Sequence, residues 1–254
     1  MRSARYGSDP SQVGDLHLPD AARPPVVCLL HGGFWRMPYG RDQMTALADD
    51  LARRGYAAWN LEYRRVGAGG GWPATLDDVS RGIDQLATLA GDGLELDLER
   101  LATVGHSAGG HLALWAGGRH RLGGAPPRVR VAAAAGQAPI ADLVHALGHE
   151  RAPLRNAVTT FLGGPDTAGD RAQAASPRVL LPLGIPQLIV HGTADDVVPV
   201  EIGRRYTEAA RAAGDPVELL ELPGAGHFEH LDAGGPAWAG VVAWLDRILA
   251  APAP

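Results

Sequence analysis

The chain has 254 residues, 46% of them hydrophobic, with an ordinary charged share and a net charge of −5. That is enough apolar material for one large α/β domain, and it excludes a disordered chain and a basic nucleic-acid surface. Every cationic side chain is arginine, from which no function follows.

The amino terminus, MRSARYGSDPSQ, carries no apolar leader-like run, and no stretch reaches the length of a membrane span, so a cytoplasmic location is expected. Short aliphatic runs then alternate with longer helical patterns, the signature of parallel strands joined by crossover helices. Strands are expected at Val26–Leu30, Tyr56–Leu61, Leu101–Val104, Val129–Ala135, Gln187–His191 and Val217–Leu222; most are apolar throughout, as strands covered on both faces should be. Helices are expected near 40–54, 74–90, 107–118, 201–213 and 236–250. The only cysteine, Cys28, lies in the first of these strands, where a thiol reads as a small buried hydrophobe. Asp77 and Asp78 sit in the first turns of the helix near 74, where its dipole favours negative charge. Residues 137–185 break the alternation with many prolines and weak helical periodicity at 140–148 and 153–162, and read as a small cap or lid. No linker divides the chain, so one domain over 1–254 is expected.

The stretch GHSAGGHLALW puts Gly105 and Gly109 two residues either side of Ser107, at a strand-to-helix corner. A serine held there needs neighbours without a Cβ, because the turn brings strand and helix together. The helix start also aims backbone N–H groups, that of Ala108 first, at any oxyanion formed on the serine. Taken alone the pattern is equally a glycine-rich turn with a capping serine. Its context adds weight. HGGFW (31–35) follows the first apolar strand, and its glycines permit a second set of N–H donors, although a β-turn with an aromatic plug would read the same way. HGTADDVVP (191–199) follows the penultimate strand and GAGHF (224–228) the last one. An acid and a histidine thus arrive at the strand ends where a serine would need a base and the base an orienting carboxylate.

With these four motifs in this order, the chain resembles an α/β-hydrolase over nearly its whole length. HGGFW, EYRR with GGGWPATLDDV, GHSAGGHLALW and HGTADDVVPV are similar to bacterial esterase-like proteins of the feruloyl-esterase, hormone-sensitive-lipase and kynurenine-formamidase types. The resemblance implies a mostly parallel sheet with helices on both faces. It implies Ser107 as nucleophile, His227 as base, Asp195 as orienting acid, and Gly33, Phe34 and Ala108 as oxyanion-hole donors. Phe34 departs from the third glycine common in such loops and brings an aromatic ring to the acyl side; Trp35 and Trp72 are further candidates to line the site, or else core residues. The register H-G-x-x-D-x-x-V-P favours Asp195 over Asp196, and the loop after the last strand favours His227 over His230. His31 is expected to brace the oxyanion loop, and His106 and His111 to be packed rather than catalytic. No histidine pair has the spacing of a zinc helix, so neither metal nor cofactor is expected.

The implied activity is hydrolysis of a small carboxylic ester or activated amide, with an arylformamidase acting on N-formylkynurenine-type substrates as the specific alternative. A non-catalytic ligand-binding protein of the same fold is the alternative from another class. The partner is then a small-molecule substrate, with no nucleic acid and no membrane.

Overall fold

The computed structural model describes residues 1–123 and 125–250. The one-domain expectation over 1–254 also includes residues 124 and 251–254, which lie outside that description.

An eight-stranded sheet runs in the order β1-β2-β4-β3-β5-β6-β7-β8. Its centre is β3 (Pro25–Leu30), hydrogen-bonded in parallel to β4 (Ala57–Leu61) and β5 (Asp97–His106). β6 (Ala133–Gln137), β7 (Gln187–Gly192) and β8 (Val217–Leu222) extend the parallel part. The physical reason lies in β3: all but its first residue are buried, and alternate residues feed opposite cores. Val26, Cys28 and Leu30 join one apolar cluster, Val27 and Leu29 the other. Burial pushes the Cys28 thiol up, so it stays protonated and inert.

Helices cover both faces. α1 (Thr45–Arg53) and α8 (Pro236–Ile248) lay Leu47, Leu51, Trp238, Val241 and Leu245 on one side. α2 (Ala74–Gly91) and α3 (Ala108–Gly118) lay Val79, Ile83, Leu112 and Ala116 on the other, and α7 (Val200–Ala212) packs Tyr206 near β7. The expected strand at Val129–Ala135 is shifted: pairing begins at Ala133. Val129 instead gives its carbonyl to Nη2 of the buried Arg119 guanidinium, which also donates to Asp84, while Nη1 donates to Ser80.

Two antiparallel strands, β1 (Arg2–Arg5) and β2 (Val13–His17), add an edge absent from the sequence expectation. RSAR and VGDLH have no apolar run, and β1 is mostly exposed, so nothing in their composition marks them. Between β6 and β7 stand α4 (Leu143–Leu147), α5 (Ala152–Phe161) and α6 (Pro165–Ala175). α6 was not expected from its sequence: PDTAGDRAQAA offers only alanines to the core, too little apolar contrast for a helical period to register. Leu143, Leu154, Val158, Phe161, Ala168 and Ala172 join the same cluster as β3, so this excursion shares the main core.

Asp78 corrects the dipole reading. Its carboxylate is fully buried and takes two 2.7 Å hydrogen bonds from the Arg64 guanidinium and one from Gln12, tying α2 to the EYRR segment and the amino-terminal edge.

Candidate active site

Ser107 sits at the corner between β5 and α3 with φ 57° and ψ −119°, a left-handed backbone conformation that costs energy for any residue but glycine. The surroundings enforce it. A Cβ on Gly105 would fall on the Gly109 carbonyl, and one on Gly109 would fall on the Leu30 carbonyl, so the strand, the corner and the helix can close only with glycine at both places.

The HGGFW loop is a second strained turn. Phe34 and Trp35 both have positive φ, 54° and 55°, and the Arg36 N–H donates to the Gly33 carbonyl at 3.1 Å. Glycine or asparagine usually fills those two central positions; here burial of Trp35 compensates. Its indole is fully buried, stacks on Phe161 with centroids 4.4 Å apart, and donates its N–H to His111 Nδ1 at 3.2 Å. With Trp35 turned inward, Phe34 faces outward into a cavity of about 280 Å³, lined also by Gly33, Tyr39, Gln43, His106, Ser107, Val197, His227, Phe228 and Leu231.

Trp35 is therefore no part of the cavity wall. Trp72 is not either: it borders a separate depression with Trp115, Leu76 and Arg119. For Trp35 the cause is the backbone turn, which aims the indole inward and cannot be read from sequence position alone. Tyr39, Gln43, Phe228 and Leu231 were not singled out by the sequence reading, although Phe228 directly follows His227 and is 68% exposed at the rim.

The EYRR segment scaffolds the loop. Glu62 Oε1 lies 2.8 Å from His31 Nε2, and Tyr63 stacks on the His31 ring at 4.3 Å while donating its hydroxyl to the His31 carbonyl. His31 Nδ1 reaches the Gly32 carbonyl at 2.8 Å. Burial alone would raise the Glu62 carboxyl, but the hydrogen bond from His31 and its charge hold it below the usual carboxylate range.

His227 donates Nδ1–H to Asp195 Oδ2 at 2.7 Å. Asp195 Oδ1 accepts the N–H groups of Val197 and Val198, each at 2.8 Å, and His191 Nε2 stands 3.5 Å from Oδ2. Burial would raise this carboxyl, yet the nearby His191 ring and the hydrogen bond from His227 outweigh it and hold the group far below its ordinary range. Asp196 is exposed and only its backbone carbonyl is engaged, by Arg151. His106 donates Nε2–H to the His227 carbonyl at 2.8 Å, so it braces the segment that carries His227. His230 is fully buried in a short turn behind His106 and does not border the cavity. Among the described residues, neither the Ser107 hydroxyl nor His227 Nε2 has a hydrogen-bond partner, and both atoms belong to residues lining the same cavity. The N–H groups of Gly33, Phe34 and Ala108 likewise donate to no protein acceptor among those residues.

The model of the BD-FAE family matches residues 15–209, which is most of the chain. The chain belongs to the BD-FAE family. This BD-FAE chain is 30% identical to Esterase LipC of Mycobacterium tuberculosis over 97% of its own length, and spans 65% of LipC. Among solved structures, the apo form of Thermogutta terrifontis esterase 2 superposes with a TM-score of 0.78 at 26% identity, covering 99% of this chain and 96% of that one. A truncated carbohydrate esterase from gut microbiota reaches a TM-score of 0.85 at 20% identity, covering 99% and 97%. The fold of this BD-FAE member is accordingly the α/β-hydrolase fold. No described helix is long and apolar enough to cross a membrane.

His111 gives a stability prediction. The imidazole is fully buried between the Trp35 indole N–H and the Ala175 carbonyl, both satisfied by the neutral ring. Burial pushes its pKa down to about 4, only partly offset by the bond to Ala175. Unfolded, a histidine titrates near ~6.5, so between these values the unfolded chain holds the proton and the folded one does not. Stability is complete above that range and falls as pH drops toward 4, by about 3 kcal/mol for this group. His106 and His230, lowered to about 3 and about 4, act in the same direction. Urea unfolding at pH 7 and pH 5 should show a lower midpoint at pH 5, and His111→Gln should flatten that difference. An unchanged pH slope in the variant would refute the assignment.

Proposed function

We propose that this protein hydrolyses small carboxylic esters through a Ser107–His227–Asp195 triad and an acyl-enzyme. The observation that carries the reading is that Ser107, on its strained corner, shares one small cavity with His227, whose other nitrogen is hydrogen-bonded to the anionic Asp195. In this mechanism Ser107 Oγ attacks the ester carbonyl and passes its proton to His227 Nε2. Asp195 fixes the tautomer and stabilises the imidazolium. The free N–H groups of Gly33, Phe34 and Ala108 receive the oxyanion, and His227 returns the proton to the departing alkoxide. Water, giving a proton to His227, then attacks the acyl-enzyme, and the acid leaves as His227 passes that proton back to Ser107 Oγ. Relatives named as esterases support the reaction class. In the same reading the chain acts as one unit, with α4 to α6 as a small cap above the β6 end of the sheet.

A cavity of about 280 Å³, bounded by the Phe34 ring, favours a short acyl group. Added methylenes would force overpacking at about 1–3 kcal/mol. The test is kcat/KM for aryl formate, acetate, butyrate and octanoate, with N-formylkynurenine alongside. The rate should hold through acetate and fall steeply by octanoate. A rate that rises through octanoate would overturn the small-acyl reading, and a large preference for N-formylkynurenine over aryl acetate would replace the esterase by the arylformamidase.

A further inference from the structure

On the other side of Phe34 lies a second cavity of about 200 Å³, lined by Phe34, Arg36, Val66, Pro153, Asn156, Ala157 and Thr160. Phe34 borders both this cavity and the one holding Ser107, so the two adjoin at this residue. Three observations single it out. The Arg36 guanidinium is exposed and has no carboxylate or carbonyl partner among the described residues, yet it is not adrift: its Cζ stands 5.6 Å from the Phe34 ring centroid. The backbone beneath it is pinned, because Arg36 bridges to Val66, with Val66 N–H donating to the Trp35 carbonyl at 2.7 Å and Met37 N–H to the Val66 carbonyl at 3.2 Å. Facing it, α5 presents Asn156 and Thr160 one helical turn apart, and the Asn156 carboxamide is without a partner among those residues.

No carboxylate lines either cavity. A ligand reaching past Phe34 therefore meets a guanidinium that stands over the Phe34 ring on a held backbone, and an amide, with no carboxylate in the cavity lining to neutralise the cation. The chain's net charge of −5 does not oppose this at contact range, since charges beyond about 8 Å are screened at physiological salt. We propose that Arg36, together with Asn156, forms a carboxylate-binding subsite beside the Ser107 cavity, so that preferred substrates carry an anionic group on the part that extends past Phe34. This rests on the reading of Ser107 as the nucleophile. A guanidinium matches a carboxylate by two parallel N–H donors, which an amide or a neutral ring edge cannot equal.

The experiment compares wild type with Arg36→Gln and Arg36→Lys on two matched pairs: phenyl butyrate against phenyl hemisuccinate, where the acyl group bears the charge, and phenyl acetate against 3-acetoxybenzoate, where the leaving group does. In wild type, kcat/KM for the anionic member of one pair should exceed its neutral partner by about tenfold, through KM, and sodium chloride should shrink the ratio. Arg36→Gln should abolish the preference and Arg36→Lys restore part of it. The pair that responds identifies the side of the ester bound there. If Arg36 only packs on Phe34, both members fall together and the ratio does not move, which overturns the subsite. Calorimetric titration of the wild-type protein with 3-hydroxybenzoate and 3-hydroxybenzamide gives a readout free of turnover. Tighter binding of the benzoate, lost in Arg36→Gln, supports the subsite even if no ester is cleaved, an outcome that would strike only the esterase reading. Equal binding of the two probes, with a ratio of rates insensitive to Arg36, rejects it.

Discussion

Replacing Ser107 by alanine is expected to lower kcat for aryl acetate by three orders of magnitude or more while leaving the fold in place. The hydroxyl is the attacking atom in the proposed mechanism, so without it no acyl-enzyme forms, and only oxyanion and substrate binding remain to accelerate direct attack by water. The backbone at this corner is held by contacts outside the side chain, namely the close approach of Gly105 to Gly109 and of Gly109 to Leu30. Alanine also tolerates the conformation no worse than serine, so the unfolding midpoint should move little. A fluorophosphonate probe should label wild type and not the variant. Full hydrolysis by pure Ser107→Ala protein would end the serine mechanism, and failure of wild type to react with the probe would favour a binding protein of this fold.

The second large effect is expected at Asp195. Changing it to asparagine keeps the size but removes the charge, and the amide can present N–H to His227 Nδ1, which favours the wrong tautomer. A loss in kcat of about 10⁴-fold follows by analogy with the same change in other triads. Asp196→Asn should alter kcat by no more than a few-fold, because that side chain is exposed and its engaged group is the backbone carbonyl. The stability effect separates the two as well. Asp195 accepts two backbone N–H bonds and holds a carboxyl pKa far below normal, so its native-state charge contributes stability that is present at neutral pH and disappears on acidification. Asp195→Asn should therefore weaken the fold at pH 7 more than it does near pH 2.5, below the ordinary aspartate value of 3.8, whereas pH 7 and pH 5 should give the same loss. A larger loss of turnover in Asp196→Asn than in Asp195→Asn would reverse the assignment.

The histidine choice bears on the same point. His227 and His230 are three residues apart, and sequence spacing after the last strand favours the first. In the structure His227 borders the cavity and bonds Asp195, whereas His230 is buried behind His106 with its pKa lowered to about 4. Both rings are buried, and which of them borders the cavity is not written in the spacing.

What the sequence determined by itself were features set by neighbours along the chain. Continuous apolar runs such as VVCLL and QLIVHG can satisfy burial on two faces only as central parallel strands, and both lie in the parallel part of the sheet. Glycines two residues either side of Ser107 mark a corner where backbone meets backbone, and the ends of the last two parallel strands bring Asp195 and His227 into hydrogen-bonding contact. What only the tertiary structure decided were the directions of side chains and the pairing of distant polar groups. Trp35 turns into the core and Phe34 out of it through two consecutive left-handed residues, and Phe161 and His111 meet the inward indole by stacking and a hydrogen bond. Asp78 is consumed by Arg64 and Gln12, partners brought to it by the sheet edge. Strand and corner propensities are local energies and leave a local trace, whereas an indole's orientation or an aspartate's partner depends on groups that meet only once the chain has folded.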